Sequence, residues 1–461
     1  MTTVRTAGFL GTRFAGTDGV SLEVEKWARV LRRRDIESFY FSGLSDRPSE
    51  RCHTVPPAFF DDPEIRAVQE RCFGTFRRDR ALSGEIRRLT ELLKDELNRF
   101  LDRFRPDFLI PQNALAIPMN IPLGVAITEV IAETGLPVIA HHHDFAWERD
   151  RFRVCAVEDI LAAAFPPRLP GMKHVVINRE AQRQIAQRCG LASTVIPNVF
   201  DFAALGAGAA DGATVRGATK SSATKGGTPA FPAPDEFNRD LRSALGIGPE
   251  QLLILQPTRM IARKGIEHAL ELAARLKHRA PVLVIPHQEL DEGDEYARRI
   301  LEYARTLGVT VLLRPDRITS EREAANDVNN VDPAEPADYA GKRYSLWDLY
   351  IHADLVTYPS LYEGFGNAFL EAVYFGKPIV VNRYSVYRED LEPLGFETVT
   401  MDGYVTDDVV RETETLLDDR DERNRRAHCN LEIARRHFSL EVLEERLSIL
   451  LQELGLTGDQ P

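Results

Sequence analysis

The 461 residues predict an α/β protein of two Rossmann-like domains facing across a cleft. Three observations carry this reading. The length exceeds what one compact core holds, so two domains are expected. Short aliphatic or β-branched runs alternate with helical stretches twice over, the pattern of parallel sheets covered by helices on both faces. Between the two series, residues 203–235 are built of Ala, Gly, Thr, Ser and Pro with scarcely any large apolar side chain, too few to offset their ordering entropy. The expected layout is therefore an N-terminal domain over 1–200, a flexible insertion over 201–235, a second domain over 236–435, and a C-terminal helix over 436–461 that packs back on the first.

Taken in order, Ala7–Leu10 reads as a strand, followed by a Gly-rich turn and a helix over Ser21–Arg33. Phe108–Pro111 and Pro137–Ala140 are short buried strands around a helix, Ile121–Glu133. His174–Ile177 and Thr194–Pro197 are two more strands, flanking the helix Arg179–Cys189. The alternation restarts with the strand Leu252–Pro257, the helix Ile266–Leu276, the strand Pro281–Pro286, the helix Tyr296–Leu307 and the strand Val309–Leu313. Residues 318–342 are polar and read as a loop. The helix Leu346–His352, the strand Leu355–Tyr358, the helix Asn367–Phe375 and the strand Pro378–Asn382 follow, and two last helices span about 406–418 and 421–454.

Composition narrows the function classes. Apolar content of 43% with 28% charged residues is that of a folded soluble chain. No apolar run approaches the ~18 residues of a membrane span, and the first residues lack the basic start and long apolar stretch of a signal peptide, so a cytoplasmic location is expected. A net charge of −12 argues against nonspecific nucleic-acid binding. The five cysteines, Cys52, Cys72, Cys155, Cys189 and Cys429, are scattered and form no CxxC, so neither a disulfide framework nor a thiolate zinc site is expected. Gly206-x-Gly208 has no strand before it and no helix after it, which disqualifies it as a phosphate loop.

The most informative string runs Tyr358-Pro-Ser-Leu-Tyr-Glu363-Gly364-Phe365-Gly366-Asn367-Ala-Phe-Leu-Glu371. A strand ends, a glycine-containing loop follows, and a helix opens near Gly366–Asn367. Gly364 and Gly366 let backbone approach a ligand, and the new helix N-terminus suits a diphosphate. Glu371, about a turn into the helix, is placed to reach a ribose while Glu363 approaches a sugar. A second string, Gln256-Pro-Thr-Arg259-Met-Ile-Ala-Arg263-Lys264-Gly265, follows the first strand of the second half. Cations there would neutralise charge developing on a departing diphosphate.

These residues resemble the donor domain of the family-4 retaining glycosyltransferases, which have the GT-B fold. Their Glu-x7-Glu signature is matched by Glu363 and Glu371, and their upstream Arg and Lys by Arg259 and Lys264. The resemblance implies that Arg259 and Lys264 bind the diphosphate of a nucleotide-sugar donor. Backbone at Gly364, Phe365, Gly366 and Asn367 would touch sugar and phosphate, Glu363 the transferred sugar, and Glu371 the ribose. It makes the first domain the acceptor domain and the second the donor domain. Gly16-Thr-Asp-Gly19 resembles the family's N-terminal glycine loop, with Thr17 and Asp18 in place of the commoner paired glycines, so that Gly19 carries the match to the donor phosphates. Ile196-Pro-Asn198-Val-Phe-Asp201 resembles the segment at the domain junction.

His141-His142-His143-Asp144 follows a strand, where ligands gather in α/β sheets. Adjacent residues on an extended chain point in alternating directions, so the three rings are not expected to share a metal ion. By the resemblance His143 contacts the donor sugar, with His142 the alternative. The string His142–Arg149, together with Asn113–Asn120 and Asn382-Arg383-Tyr384, resembles a narrower branch of mannosylglucosylglycerate synthase-like enzymes that build compatible solutes. In that reading Asn113, Asn120, His142, Trp147 and Arg149 line the acceptor side, with a structural role for each as the alternative.

The implied reaction is hexose transfer from a nucleotide-diphosphate sugar to a hydroxyl with retention of configuration. Attack on the same face would pass through an oxocarbenium-like transition state, the leaving diphosphate taking the acceptor proton. No cofactor or metal is required. Asp419-Arg-Asp421 has the Asp-x-Asp form of metal-using transferases but lies in a charged helical run and reads as solvent-exposed. Partners are small-molecule donor and acceptor. The rivals are a GT-B epimerase or phosphorylase and, from another class, a non-catalytic nucleotide-sugar-binding subunit.

Overall fold

The computed structural model describes residues 5–16, 18–205, 231–286, 294–313, 317–319, 322–323 and 342–456. Gly206 and Gly208, most of the insertion and most of residues 318–342 lie outside the described residues. Two compact units emerge: Met1–Val199 with Leu440–Pro461, and Phe200–Ser439.

The first unit contains β1 (Arg5–Leu10), β2 (Arg13–Phe14), α1 (Gly19–Arg33), β3 (Ile36–Ser42), β4 (Leu44–Ser45), β5 (Cys52–Thr54), α2 (Pro63–Cys72), α3 (Arg80–Phe104), β6 (Phe108–Pro111), α4 (Ile121–Thr134), β7 (Val138–His142), α5 (Glu158–Ala164), β8 (Met172–Val176), α6 (Arg179–Cys189) and β9 (Ser193–Val195). Seven strands form a parallel sheet in the order β5-β3-β1-β6-β7-β8-β9. The order reverses direction between β1 and β6, which makes the carboxyl ends of these strands a topological switch point. The central strand β6 is wholly apolar because both its faces are covered, Phe108 and Ile110 packing in the core with α1 and Leu109 in the core with α3 and α4. On α1, Val24, Trp27, Ala28 and Leu31 fall at helical spacing and are buried against the sheet. The C-terminal helix Leu440–Glu453 completes this core with Leu440, Leu443, Leu447, Leu450 and Leu451.

The second unit contains α7 (Leu241–Ala244), β10 (Leu253–Leu255), α8 (Ile266–Arg275), β11 (Val282–Ile285), α9 (Asp294–Leu307), β12 (Thr310–Leu313), β13 (Ile318–Thr319), β14 (Tyr344–Ser345), α10 (Leu346–His352), β15 (Leu355–Tyr358), α11 (Asn367–Tyr374), β16 (Ile379–Asn382), β17 (Val399–Met401), α12 (Asp407–Asp418) and α13 (Arg420–Phe438). Its parallel sheet runs β12-β11-β10-β15-β16-β17. Here the switch point lies between β10 and β15, the two strands that precede the Arg/Lys and Glu strings.

Three expectations need correction. The helix expected over 421–454 breaks at Ser439, whose backbone is extended (φ −87°, ψ 168°). There Phe200 N donates to Phe438 O at 2.7 Å and Phe200 bridges Ser439, so the segment that packs on the first unit begins at Leu440 rather than 436. Ile318–Thr319, expected as loop, pairs in parallel with Tyr344–Ser345. The sequence reading also left β3, β5, β17, α2, α3 and α5 without assignment. The longest of these, α3, buries Leu82, Ile86, Leu89, Leu93, Leu97 and Phe100 along one face.

Candidate active site

In the second unit, the loop after β10 and the loop after β15 leave adjacent strands at the switch point, where ligands bind open α/β sheets. They are stitched together through backbone: Leu361 N donates to Arg263 O at 2.8 Å. Gly265 makes the close approach possible. It sits at φ +58°, and a Cβ there would lie 2.5 Å from Pro359 O.

Glu363 is buried in this seam. Its Oε1 accepts from Lys264 Nζ and from Ser360 Oγ at 2.7 Å, and its Oε2 from Arg263 at 3.1 Å. Burial works to raise the Glu363 carboxyl, but the Lys264 and Arg263 charges and the hydrogen bonds from Lys264 and Ser360 outweigh it, holding the group below the ordinary carboxylate value. Burial likewise lowers Lys264, with Glu363 opposing and Arg263 and Arg259 reinforcing the shift. Arg259 opens the same turn, its carbonyl accepting from Ile261 N at 3.0 Å. Arg263 was not among the expected site residues. Its signal was its position beside Lys264, and only the fold reveals that it faces Glu363.

The Gly364–Asn367 turn is built from behind. Tyr384 OH donates to Phe365 O at 2.9 Å. Phe365 is buried, its ring 5.4 Å from Phe438. Gly366 sits at φ +117°, and a Cβ would lie 2.7 Å from Tyr384 OH, so no other residue fits. Asn382 Nδ2 donates to Ser360 O at 3.0 Å, and Arg383 pairs with Glu392. The Asn382-Arg383-Tyr384 string thus supports the glutamate loop. Gly364 and Asn367 are half-exposed, as is Glu371. Glu371 is the fifth residue of α11 and its Oε2 accepts from Tyr350 OH at 2.9 Å.

In the first unit, Gln112 and Asn113 follow β6 and the histidines end β7. Gln112 Oε1 lies 3.0 Å from His141 Nδ1 and 3.2 Å from His143 Nε2. One amide oxygen accepts from both rings, which sets a proton on each of those nitrogens. His141 also stacks on Trp27 at 4.3 Å. His142 turns to the other face and meets His174 at 2.9 Å. The alternation of the strand therefore sets His142 apart from His141 and His143, whose ring centroids stay 4.3 Å apart, and among the described residues no group of three or more His, Cys, Asp or Glu could hold a metal ion. Burial lowers all four imidazoles. His143 falls to about 4, with Asp144 and Asp18 opposing, and His174 also to about 4. His141 and His142 fall well below the usual value. These rings are neutral at pH 7.

The remaining expected residues have identifiable local roles. Asn113, at φ +58°, accepts from His143 N and Asp144 N and donates to Asp144 Oδ1 at 2.6 Å, so it shapes the His143 turn. Asn120 is buried, caps α4 through Leu123 N and donates to Pro57 O and Ala58 O. These bonds engage both ends of the Asn120 amide. His142 is equally buried, held against His174. Trp147 donates to Gln184 at 2.6 Å and stacks on Phe145 at 4.4 Å. Arg149 is exposed and pairs with Asp144. Gly19 is exposed at the first turn of α1, but Asp18 caps the Val20 and Ser21 amides at 3.1 and 3.2 Å and pairs with Arg13. The Asp18 carboxylate thus occupies the Val20 and Ser21 amides. Asp419 and Asp421 are exposed, and Asp419 caps α13 through Glu422 N.

Parallel α/β units and a cation-clasped carboxylate at a switch point are features of glycosyltransferases. Comparison with known proteins places the chain there: the family described as glycosyl transferases group 1 matches residues 329–430, and the chain belongs to it. It is 30% identical over 471 residues to mannosylglucosylglycerate synthase of Thermotoga maritima, covering 94% of this chain and 96% of that protein. It is 30% identical over 421 residues to the Petrotoga mobilis protein of the same name, covering 86% of each. Among solved structures it is similar to Anabaena HepE in complex with UDP-glucose, with a TM-score of 0.60 at 14% identity over 97% of this chain and 99% of that one. The fold is that of GT-B glycosyltransferases, and the protein is a glycosyltransferase. Among the described residues no helix is long and apolar enough to cross a membrane.

Proposed function

We propose that this glycosyltransferase is a family-4 enzyme that moves a mannosyl group, with retention, from a nucleotide-diphosphate sugar to glucosylglycerate. The observation that carries the donor half is the buried Glu363 carboxylate clasped by Lys264 and Arg263 at the β10/β15 switch point. The acceptor half rests on similarity over nearly the whole chain to two proteins named for the product mannosylglucosylglycerate.

Lys264 and Arg259 hold the diphosphate, and Glu371 takes the ribose hydroxyls. Glu363, kept ionised by its neighbours, faces the sugar carbon where positive charge develops. The C1–O bond to the phosphate breaks as the acceptor oxygen bonds C1 from the same face, and the acceptor proton passes to the departing phosphate oxygen. The cations stabilise the leaving group and the fixed geometry supplies the rest. His143 contacts a sugar hydroxyl as a neutral imidazole. No cofactor takes part, and the donor and acceptor are the partners. A cytoplasmic enzyme would find both there.

The test is incubation of the purified protein with nucleoside-diphosphate mannose, in uridine and guanosine forms, and glucosylglycerate. The expected result is a disaccharide glycerate whose new linkage keeps the donor's anomeric configuration by NMR. An inverted linkage sinks the retaining mechanism, and transfer only to other acceptors sinks the acceptor assignment. Donor turnover without any transfer product would favour an epimerase or phosphorylase; binding without turnover would favour a non-catalytic subunit.

A further inference from the structure

Tyr350 lies in α10, outside the glutamate string, and is fully buried. Its ring stacks on Phe375 at 5.1 Å and 6°. A buried phenol hydroxyl requires a partner, and this one has Glu371 Oε2 at 2.9 Å and Ala368 O at 3.2 Å. Both acceptors lie in the first five residues of α11. Burial, and then the Glu371 charge, push the Tyr350 hydroxyl far above its ordinary pKa, so it stays protonated and acts as a donor to the carboxylate.

The consequence lies in side-chain freedom. A glutamate has three rotors, and a ligand that must order them loses affinity in doing so. Glu371 is half-exposed, so packing alone does not hold it. A charge-assisted bond from a rigid, stacked ring does. We propose that Tyr350 is a positioning residue that presets the Glu371 carboxylate for the ribose hydroxyls of a nucleoside diphosphate. The proposal rests on the nucleotide-donor reading above.

Tyr350→Phe removes the hydroxyl and keeps the ring stack. Calorimetry with UDP and GDP, and with their 2′,3′-dideoxy forms, reads the effect. The variant should bind the better ribonucleotide about fivefold more weakly, the loss of one ordering hydrogen bond, and bind the dideoxy form as wild type does. In turnover, donor KM should rise with kcat nearly unchanged. In a Glu371→Ala background the substitution should cost nothing further, because its effect passes through that carboxylate. Unchanged ribonucleotide affinity, equal loss for both sugar forms, or full additivity with Glu371→Ala would each overturn the proposal while leaving the donor reading intact. A wild-type protein that binds neither UDP nor GDP would overturn both.

Discussion

Replacing Lys264 by Met strips Glu363 of its nearest cation. Both side chains are under one-tenth exposed, at 9% and 8%. Breaking a buried pair from one side costs about 3–5 kcal/mol, because the charge left behind has no water to replace its partner. Arg263 at 3.1 Å and Ser360 at 2.7 Å remain on the carboxylate, so the lower end, about 3 kcal/mol, is expected. For a domain of this size that is a fall in Tm of roughly 6–12 °C. Lys264→Met with Glu363→Gln should recover most of it, since no uncompensated ion then remains buried. The pH dependence has a definite sign. In the wild type, the depressed Glu363 pKa contributes stability above about 4.5, the ordinary value, and that contribution is lost as pH falls through the folded value. In Lys264→Met burial is opposed only by Arg263 and Ser360, so the group rises relative to the wild type and the deficit should shrink as pH falls from 8 to 5 and the carboxylate is more readily protonated. Urea and thermal melts of the four proteins at both pH values provide the measurement. A single mutant that melts with the wild type, or strictly additive single and double mutants, would refute the idea of a buried, mutually dependent pair.

Further outcomes follow from the same geometry. Glu371→Ala should raise donor KM more than it lowers kcat, while Glu363→Gln should lower kcat strongly with little change in nucleoside-diphosphate affinity by calorimetry; the opposite pattern reverses the two roles. Arg259→Ala should lower kcat/KM about tenfold or more, the loss of one charge-assisted contact, and near-wild-type kinetics would remove it from the diphosphate clamp. The first unit should be acid-labile. His141, His142, His143 and His174 resist protonation when folded, so below about pH 6.5 the unfolded chain takes up protons that the native state refuses. Each such ring should cost about 1.4 kcal/mol per pH unit until its folded pKa is reached, about 4 for His174, and a urea midpoint for this unit that stays flat from pH 7 to 5 would contradict this. Activity should survive a chelator, since fixed cations compensate the leaving group. Loss reversed by a divalent ion would refute that.

The sheets were legible where strands are buried on both faces, because runs such as Phe108–Pro111 and Ile379–Val381 have no polar interruption. So was the glutamate loop, whose chemistry is contiguous in the chain. What escaped was whatever depends on distant partners. Arg263 and Glu363 are 100 positions apart, and His174, 32 positions from His142, looked like an ordinary strand residue. Asn120 stood between an acceptor contact and a structural role in the sequence, and only the fold shows its side chain on a helix cap and two carbonyls. Asp18 was visible only as a departure from paired glycines, and the fold turns it into a helix cap.

The assignment of Leu440–Glu453 to the first unit has a consequence for biosynthesis. Residues 1–199 leave the ribosome long before the helix that closes their core, and the whole second unit is made in between. Until then the apolar face around Val30, Leu31 and Ile196 lacks its five covering leucines, worth roughly 10 kcal/mol at about 2 kcal/mol each, as much as the net stability of a typical domain. The nascent first unit should therefore stay open, and attractive to chaperones, while the second folds. A stop codon after Ser439 would release a chain whose second unit is sound and whose first cannot close.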